Sequence, residues 1–438
     1  MTRAIMIAAP RSGGGKTTAT LGILSALRAR NIEIQAAKTG PDYIDPAFHE
    51  VVTGRSSLNL DSWVMMPELL ESMLARAAEG ADLLVVESAM GLFDGLLGPA
   101  DARGAPSDIA ARFSIPVILV LDVSGQGQSA AAIAHGFATL DPALHVAGVI
   151  LNQVASARHL AMAREAILAA GIPVLGAYMR DTTLKLPERH LGLVQAREQD
   201  TLKDLLASLR ERTEGSLDLD AIMAAAAPLT IEDHGCVAIS PPGQRIAVAD
   251  DAAFSFLYGH VAQSWRNAGA ELVPFSPLAD QGPDEDCDVC WLPGGYPELH
   301  AEQLAASRHF QSRLVKFSET RPVHGECGGF MALGEFLEDA NGVTHKMVGL
   351  LGHGTSFAKR KMNLGYREAI LATDCALGSK GSTFRGHEFH YARVIQAGAD
   401  EPLATLRDGY GNDLGMAGGC RGLVSGSFFH VMARRDRK

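Results

Sequence analysis

Long apolar runs, clustered basic residues and dense cysteine are all missing from this 438-residue sequence. No stretch approaches the ~20 consecutive apolar residues of a membrane-spanning helix, which excludes a membrane partner. Lys and Arg number 39 against 50 Asp and Glu, a net charge of -11. Neutralising nucleic-acid phosphates needs grouped Lys and Arg, so nucleic acid is excluded as a partner too. The six cysteines are scattered, too sparse for a disulfide framework, and read as reduced thiols in a cytoplasmic protein. The start, Met1-Thr2-Arg3-Ala4-Ile5-Met6-Ile7, has neither the apolar stretch nor the cleavage site of a secretory signal. Glycine is plentiful at 46 residues but follows no fixed period, so neither collagen nor a repeat array is expected.

What remains is the composition of a globular protein, 47% hydrophobic and 20% charged, in a chain long enough for two cores. Short apolar runs alternate with amphipathic stretches in the first half. Strands are expected at Ile5–Ala8, Ile32–Ile34, Leu83–Val86, Pro116–Leu121 and Val146–Leu151, with a helix from Lys16 to Arg30. The runs are continuous rather than alternating, as in strands covered on both faces, so a doubly wound parallel α/β sheet is expected. Composition shifts between Glu211 and Gln244, through an Ala run at Ala224–Ala227 and Ser240-Pro241-Pro242-Gly243, which reads as one final helix and then a linker. A second α/β pattern starts at Arg245. The expected division is a domain over 1–230, a linker over 231–244 and a domain over 245–438.

Residues 10–18 read Pro-Arg-Ser-Gly-Gly-Gly-Lys-Thr-Thr between a strand and a helix. Such a loop lets backbone N–H groups of Ser12, Gly13, Gly14, Gly15, Lys16, Thr17 and Thr18 cradle the phosphates of ATP at a helix N-terminus. Lys16 would reach the outer phosphates and the Thr17 hydroxyl would ligate magnesium. Pro10 replaces the first glycine of the common pattern, while the three central glycines and Lys-Thr survive. Glu87 closes a strand at the sheet edge where α/β folds bind ligands, and is placed for magnesium; the plainer alternative is an exposed strand-end acid. The loop Lys38-Thr39-Gly40-Pro41-Asp42-Tyr43-Ile44-Asp45-Pro46 carries a lysine, two acids and an aromatic, suited to substrate and metal contacts. Asp94 lies in Met90-Gly91-Leu92-Phe93-Asp94-Gly95 and reads either as a ligand or as a turn residue.

Residues 324–329 read His-Gly-Glu-Cys-Gly-Gly, a thiol version of the nucleophile elbow. Flanking glycines allow a sharp turn that presents Cys327, and the following helix N-terminus should favour its thiolate. Gly294 and Gly295, after a neighbouring strand, offer amides for an oxyanion. His430 is the candidate base. Cys287-x-x-Cys290 has no second pair at zinc spacing, and His387-x-x-His390 is not a zincin motif. On strands, residues three apart face opposite sides, so both are read as packing or polar lining rather than metal sites.

Together these motifs, with Leu186-Pro187-Glu188-Arg189-His190-Leu191-Gly192-Leu193 and Leu292–His300, closely resemble the cobyrinate and hydrogenobyrinate a,c-diamide synthases of vitamin B12 biosynthesis. The resemblance spans nearly the whole chain and is weakest over about 205–244. It implies a dethiobiotin-synthetase-like P-loop domain that uses ATP and magnesium to phosphorylate the c and then the a acetate of a corrin macrocycle. It also implies a class I glutamine amidotransferase domain, with Cys327 as nucleophile and His430 as its activating partner, that draws ammonia from L-glutamine. Asp42, Tyr43, Ile44, Glu87 and Asp94 fall on motif positions implicated in substrate and nucleotide handling, with Lys38 and Asp45 on the same loop as Asp42. Many class I glutaminases carry Glu two residues after the histidine; here Met432 stands there. Cobyric acid synthases share the plan but usually have Ile where this chain has Glu326. The nickel-sirohydrochlorin a,c-diamide synthases are mechanistic relatives. A MinD/ParA-type switch would carry Lys where Arg11 stands and would lack the cysteine elbow. Similarity leans toward hydrogenobyrinate over cobyrinate, and a homodimer stays open.

Overall fold

The computed structural model describes residues 1–181, the backbone of 188–189 and 192–193, and residues 202–435. The chain divides into two compact units, Met1–Cys236 and Val237–Lys438.

The first unit is built on strands β1 (Arg3–Ala8), β2 (Ile34–Thr39), β3 (Leu58–Leu60), β4 (Leu83–Glu87), β5 (Val117–Asp122), β6 (Val146–Val154) and β7 (Val174–Met179). They are parallel, in the order β3-β2-β4-β1-β5-β6-β7. The apolar runs are continuous because the central strands are buried on both faces: Ile5, Met6, Ile7, Leu83, Leu84, Val85 and Val86 are inaccessible to solvent. Strand order puts the ends of β1, β2 and β4 side by side, so the segments that follow them share one edge. Two of those segments open helices, α1 (Lys16–Ala29) after β1 and α2 (Ile44–Thr53) after β2.

Two boundaries differ from the sequence reading. The second strand runs from Ile34 to Thr39 rather than over Ile32–Ile34, so Lys38 belongs to the strand end and not to a loop. Glu33 accounts for the shift: its carbonyl accepts the N–H of Asp82, and pairing with β4 starts only at Ile34. The expected single final helix is two, α3 (Leu202–Ser216) and α4 (Leu219–Ala225), separated where Asp218 accepts the N–H of Ala221 and caps the second. Ala227–Pro228 then pairs antiparallel with β1. Of the Leu186–Leu193 motif, only the antiparallel pairing of Glu188–Arg189 with Gly192–Leu193 is described; the rest lies outside the described residues.

The second unit opens with β8 (Arg245–Ala249), β9 (Glu271–Phe275), β10 (Val289–Leu292) and β11 (Val323–Glu326). With β13 (Val424–Ser427) they form a parallel sheet in the order β9-β8-β10-β11-β13, edged by an antiparallel strand, Gly419–Arg421. Trp265 and Trp291 meet edge to face at 5.0 Å against it, and Phe310, Leu314 and Phe317 fill the adjoining core. Between β11 and β13 the chain makes further sheets, one mixed and one antiparallel, that the sequence reading did not separate. One of them contains β12 (Thr383–His390) paired with β14 (His430–Arg434). Their alternating, half-exposed strands lack the continuous apolar signature of the parallel ones. Among the described residues no helix is long and apolar enough to cross a membrane.

Candidate active site

In the first unit the loop after β1 turns into α1 through Gly15, whose φ of 93° is left-handed. A Cβ at Gly15 would overlap Asn152 Nδ2, and that amide donates to the Gly14 carbonyl at 3.0 Å. The strand-end Asn152 therefore braces the phosphate loop, a role no motif announced. Ser12 and Gly13 are exposed, Thr17 and Thr18 are half-buried, and Lys16 is buried with its Nζ donating to the carbonyls of Met90 (2.6 Å) and Arg11 (3.2 Å). Burial, aided by the nearby Lys38 ammonium, lowers Lys16 to about 8 against the pull of Glu87, Asp45 and Asp94.

Beside this loop lies a dense ionic cluster. Lys38 Nζ is 2.5 Å from Asp45 Oδ2, 3.0 Å from Glu87 Oε1 and 3.7 Å from Asp42 Oδ2. Thr17 Oγ1 donates to Glu87 Oε1 at 2.7 Å and to Asp45 Oδ2 at 3.3 Å. Glu87 Oε2 meets His49 Nε2 at 2.8 Å, and His49 Nδ1 meets Ser57 Oγ at 3.1 Å. Glu87 is fully buried, so it is not an exposed strand-end acid. Burial opposes its charge, but Lys38, His49 and Thr17 outweigh burial and hold it well below the usual carboxylate range. Burial would also lower Lys38, yet Asp45, Glu87 and Asp42 hold it above its ordinary value. Burial and the Asp42 carboxylate push Asp45 up to about 8 despite Lys38.

Not every expected residue enters the cluster. Asp42 Oδ1 accepts the N–H groups of Ile44 and Asp45, so this side chain also starts α2. Ile44 turns inward and is buried, while Tyr43 is half-buried at the helix start. Asp94 is exposed and closes a turn by accepting the Gly91 N–H at 2.8 Å. His49 was missed, although its spacing from Asp45 puts both on one face of α2. Among the described residues no set of three or more His, Cys, Asp or Glu side chains is arranged to cage a metal ion. The convergent oxygens of Thr17, Glu87 and Asp45 are nonetheless hard donors of the kind that suits Mg²⁺, which usually takes only one or two protein carboxylates with substrate phosphates.

In the second unit Cys327 stands at a strand-to-helix turn with φ 46° and ψ −101°, between β11 and the short helix Gly328–Leu333. A non-glycine residue there is strained, and its surroundings over-determine it. Cys327 N donates to Ser427 O at 2.8 Å, Gly329 N donates to Pro293 O at 3.0 Å, and a Cβ on Gly329 would overlap the Leu292 carbonyl. The Gly295 nitrogen lies 3.0 Å from the place a Cβ would take on Gly328. The Gly294 carbonyl accepts from Ser255 (3.0 Å) and Phe256 (2.9 Å), which fixes the loop. A Cβ on Gly294 would overlap Cε1 of His430. Elbow, glycine amides and histidine thus form one site.

The expected preference for thiolate does not hold at rest. Burial, followed by Glu298, pushes the Cys327 thiol up; the Gly328 N–H works the other way, and Glu326 and Glu388 add to the rise. Cys327 therefore rests as a thiol. Burial, then the neighbouring His387 and His390, keeps His430 far below its ordinary value and hence neutral. His387 pairs with His430 across β12 and β14, ring centroids 5.0 Å apart. His390 stacks on Phe428 at 3.9 Å. Cys287 and Cys290 are buried packing.

Comparison with known proteins places both halves. Residues 5–194 match the CobQ/CobB/MinD/ParA nucleotide binding domain, and residues 245–438 match the CobB/CobQ-like glutamine amidotransferase domain. The chain is 59% identical over 433 residues to a hydrogenobyrinate a,c-diamide synthase of Mesorhizobium japonicum, covering 99% of each chain. It is 56% identical to that of Agrobacterium fabrum, again over 99% of each. It is 51% identical to that of Rhodobacter capsulatus, over 98% of this chain and 99% of the relative. A glutamine-dependent amidating ligase with a nucleotide-binding domain, this chain belongs to the hydrogenobyrinate a,c-diamide synthase family.

Proposed function

We propose that the chain converts hydrogenobyrinate to its a,c-diamide in the cytoplasm, using ATP to activate each acetate carboxylate and glutamine as the nitrogen source. One observation supports this reading above the others: a phosphate loop beside the Thr17–Lys38–Asp45–Glu87 cluster occurs in the same chain as a Cys327 elbow abutting His430.

A carboxylate resists ammonia because oxide is a poor leaving group, and phosphorylation supplies a better one. Phosphoryl transfer demands positioning and charge neutralisation more than covalent help. Lys16, charged at neutral pH, is the cation of the loop that would meet the phosphates. Thr17, Glu87 and Asp45 would hold Mg²⁺, whose contribution is to neutralise phosphate charge. Lys38 locks Asp45 and Glu87 in place, and His49 fixes the second oxygen of Glu87.

In the glutaminase site His430 takes the Cys327 proton while Sγ attacks the side-chain amide carbon of glutamine. The oxyanion faces the Gly294–Gly295 segment, the amide nitrogen leaves as ammonia with the proton returned by His430, and water then releases glutamate from the thioester.

Incubating the protein with hydrogenobyrinate, ATP, Mg²⁺ and glutamine should give a product lighter by the two O-to-NH exchanges, read by mass spectrometry. Amidation at other side chains, or of cobyrinate or nickel-sirohydrochlorin in preference, would overturn the substrate assignment. Glutamine hydrolysis undetectable with Cys327 intact would overturn the reaction class.

A further inference from the structure

The acid that class I glutaminases commonly place two residues after the histidine is replaced here by Met432, which is fully buried. Another carboxylate occupies the neighbourhood. Glu326, immediately before the nucleophile, ends β11 and is buried with it. Its Oε1 accepts the N–H of Val431 at 3.1 Å, tying it to the residue after the histidine. Its Oε2 is 3.8 Å from His430 Nδ1. The imidazole is held from the other side by Gly294, where a Cβ would overlap Cε1. The ring is therefore confined between a carboxyl group at Nδ1 and a backbone with no side chain.

Resting on the glutaminase reading above, we propose that Glu326 is the positioning acid of this site, holding Nδ1 of His430 while Nε2 takes the thiol proton. The carboxyl stabilises the imidazolium that forms when the Cys327 proton moves, as an orienting acid does in other nucleophile–histidine pairs. At 3.8 Å the contact is looser than a hydrogen bond, and catalytic hydrogen bonds often tighten only as substrate binds. The device also explains why this acid precedes the nucleophile. His430 and Val431 open one strand of the neighbouring sheet, and the Glu326 side chain at the end of β11 reaches both, so an acid on the histidine's own strand is not required.

The groups around the pair are Cys327 and Glu298 near the elbow, and His387, Glu388 and His390 on β12, with Glu388 paired to Arg367. Burial raises Glu326 to about 8, against the Val431 hydrogen bond. Ionised Glu326 is the form that favours imidazolium, so glutamine turnover should rise as pH passes through about 8.

The test compares wild type with Glu326→Gln in steady-state glutamine hydrolysis, with ammonium-supported synthesis as a control on folding. The expected result is a kcat lower by about 10–100-fold, short of the ~10⁴-fold cost of losing an acid in full hydrogen-bond contact. KM for glutamine should be nearly unchanged, the rise near pH 8 absent and ammonium-supported synthesis retained. A kcat and pH profile matching wild type, or an effect confined to KM, overturns the proposal. Should Glu326→Gln also lose ammonium-supported synthesis, Glu326→Asp decides. An intermediate kcat that still rises near pH 8 supports positioning, and a wild-type kcat or a flat profile overturns it. A wild-type chain that hydrolyses no glutamine removes the glutaminase reading itself, and this proposal with it.

Discussion

The two reactive residues sit in opposite electrostatic settings, and each setting carries a prediction. Lys16, lowered to about 8 by burial and Lys38, is charged at neutral pH and loses its proton as pH rises past 8. Bound phosphate would raise its pKa, so ATP binding should be at full strength below pH 8. It should weaken by about tenfold per pH unit above it, until the bound-state pKa is reached. Calorimetric titration with ATP in EDTA from pH 7 to 9.5 checks this, and a flat affinity contradicts it. Lys16→Ala should lower synthesis from either nitrogen donor by about 10²-fold or more, with glutamine hydrolysis intact. Cys327→Ala should lose glutamine use alone, and an equal loss with ammonium salts would count against separate sites. At this scale much was legible. The glycines, Lys16, Thr17 and Cys327 form short contiguous patterns that local backbone chemistry explains. His49, Asn152 and the Glu326–His430 pair were not read, because each meets its partner only through the tertiary fold, and no local spacing records that.

At the scale of elements the elbow depends on a strand and a helix approaching without side chains between them. Gly329→Ala would press a methyl against the Leu292 carbonyl, which is backbone and cannot rotate away. A cost of about 1–3 kcal/mol is expected, visible as a lower urea midpoint for the transition that quenches Trp265 and Trp291 emission. Gly294→Ala meets a side chain instead, Cε1 of His430. It should leave that midpoint nearly unchanged while lowering glutamine turnover about 10-fold or more through the displaced base. Equal effects of the two substitutions on stability would show that the distinction between backbone and side-chain crowding fails here. The parallel strands were readable because burial on both faces leaves uninterrupted apolar runs, as in Leu83–Val86. The sheets between β11 and β13 were not. Strands such as Asn363–Leu371 are only half-buried along much of their length, so hydrophobicity gives them no boundary.

For the molecule as a whole, the reading requires two chemistries that share only ammonia. The Thr17–Lys38–Glu87 contacts lie within Met1–Cys236, and the Glu326–His430 contact beside Cys327 lies within Val237–Lys438. A chain disabled at one site should therefore support a chain disabled at the other, provided ammonia is free to diffuse. Mixing Lys16→Ala with Cys327→Ala in the presence of glutamine, ATP, Mg²⁺ and hydrogenobyrinate should restore diamide formation, which neither variant achieves alone. The Lys16 variant releases ammonia and the Cys327 variant consumes it. Because the exchange passes through bulk solution, the product should appear after a lag. Its rate should grow with pH as ammonium yields ammonia, and an enzymatic ammonia trap should abolish it. Mass spectrometry of the product over time gives the lag directly. Absence of product from the mixture, with the Cys327 variant still active on added ammonium, would mean that Lys16→Ala also disables the thiol site, and the assignment of one chemistry to each unit would fail.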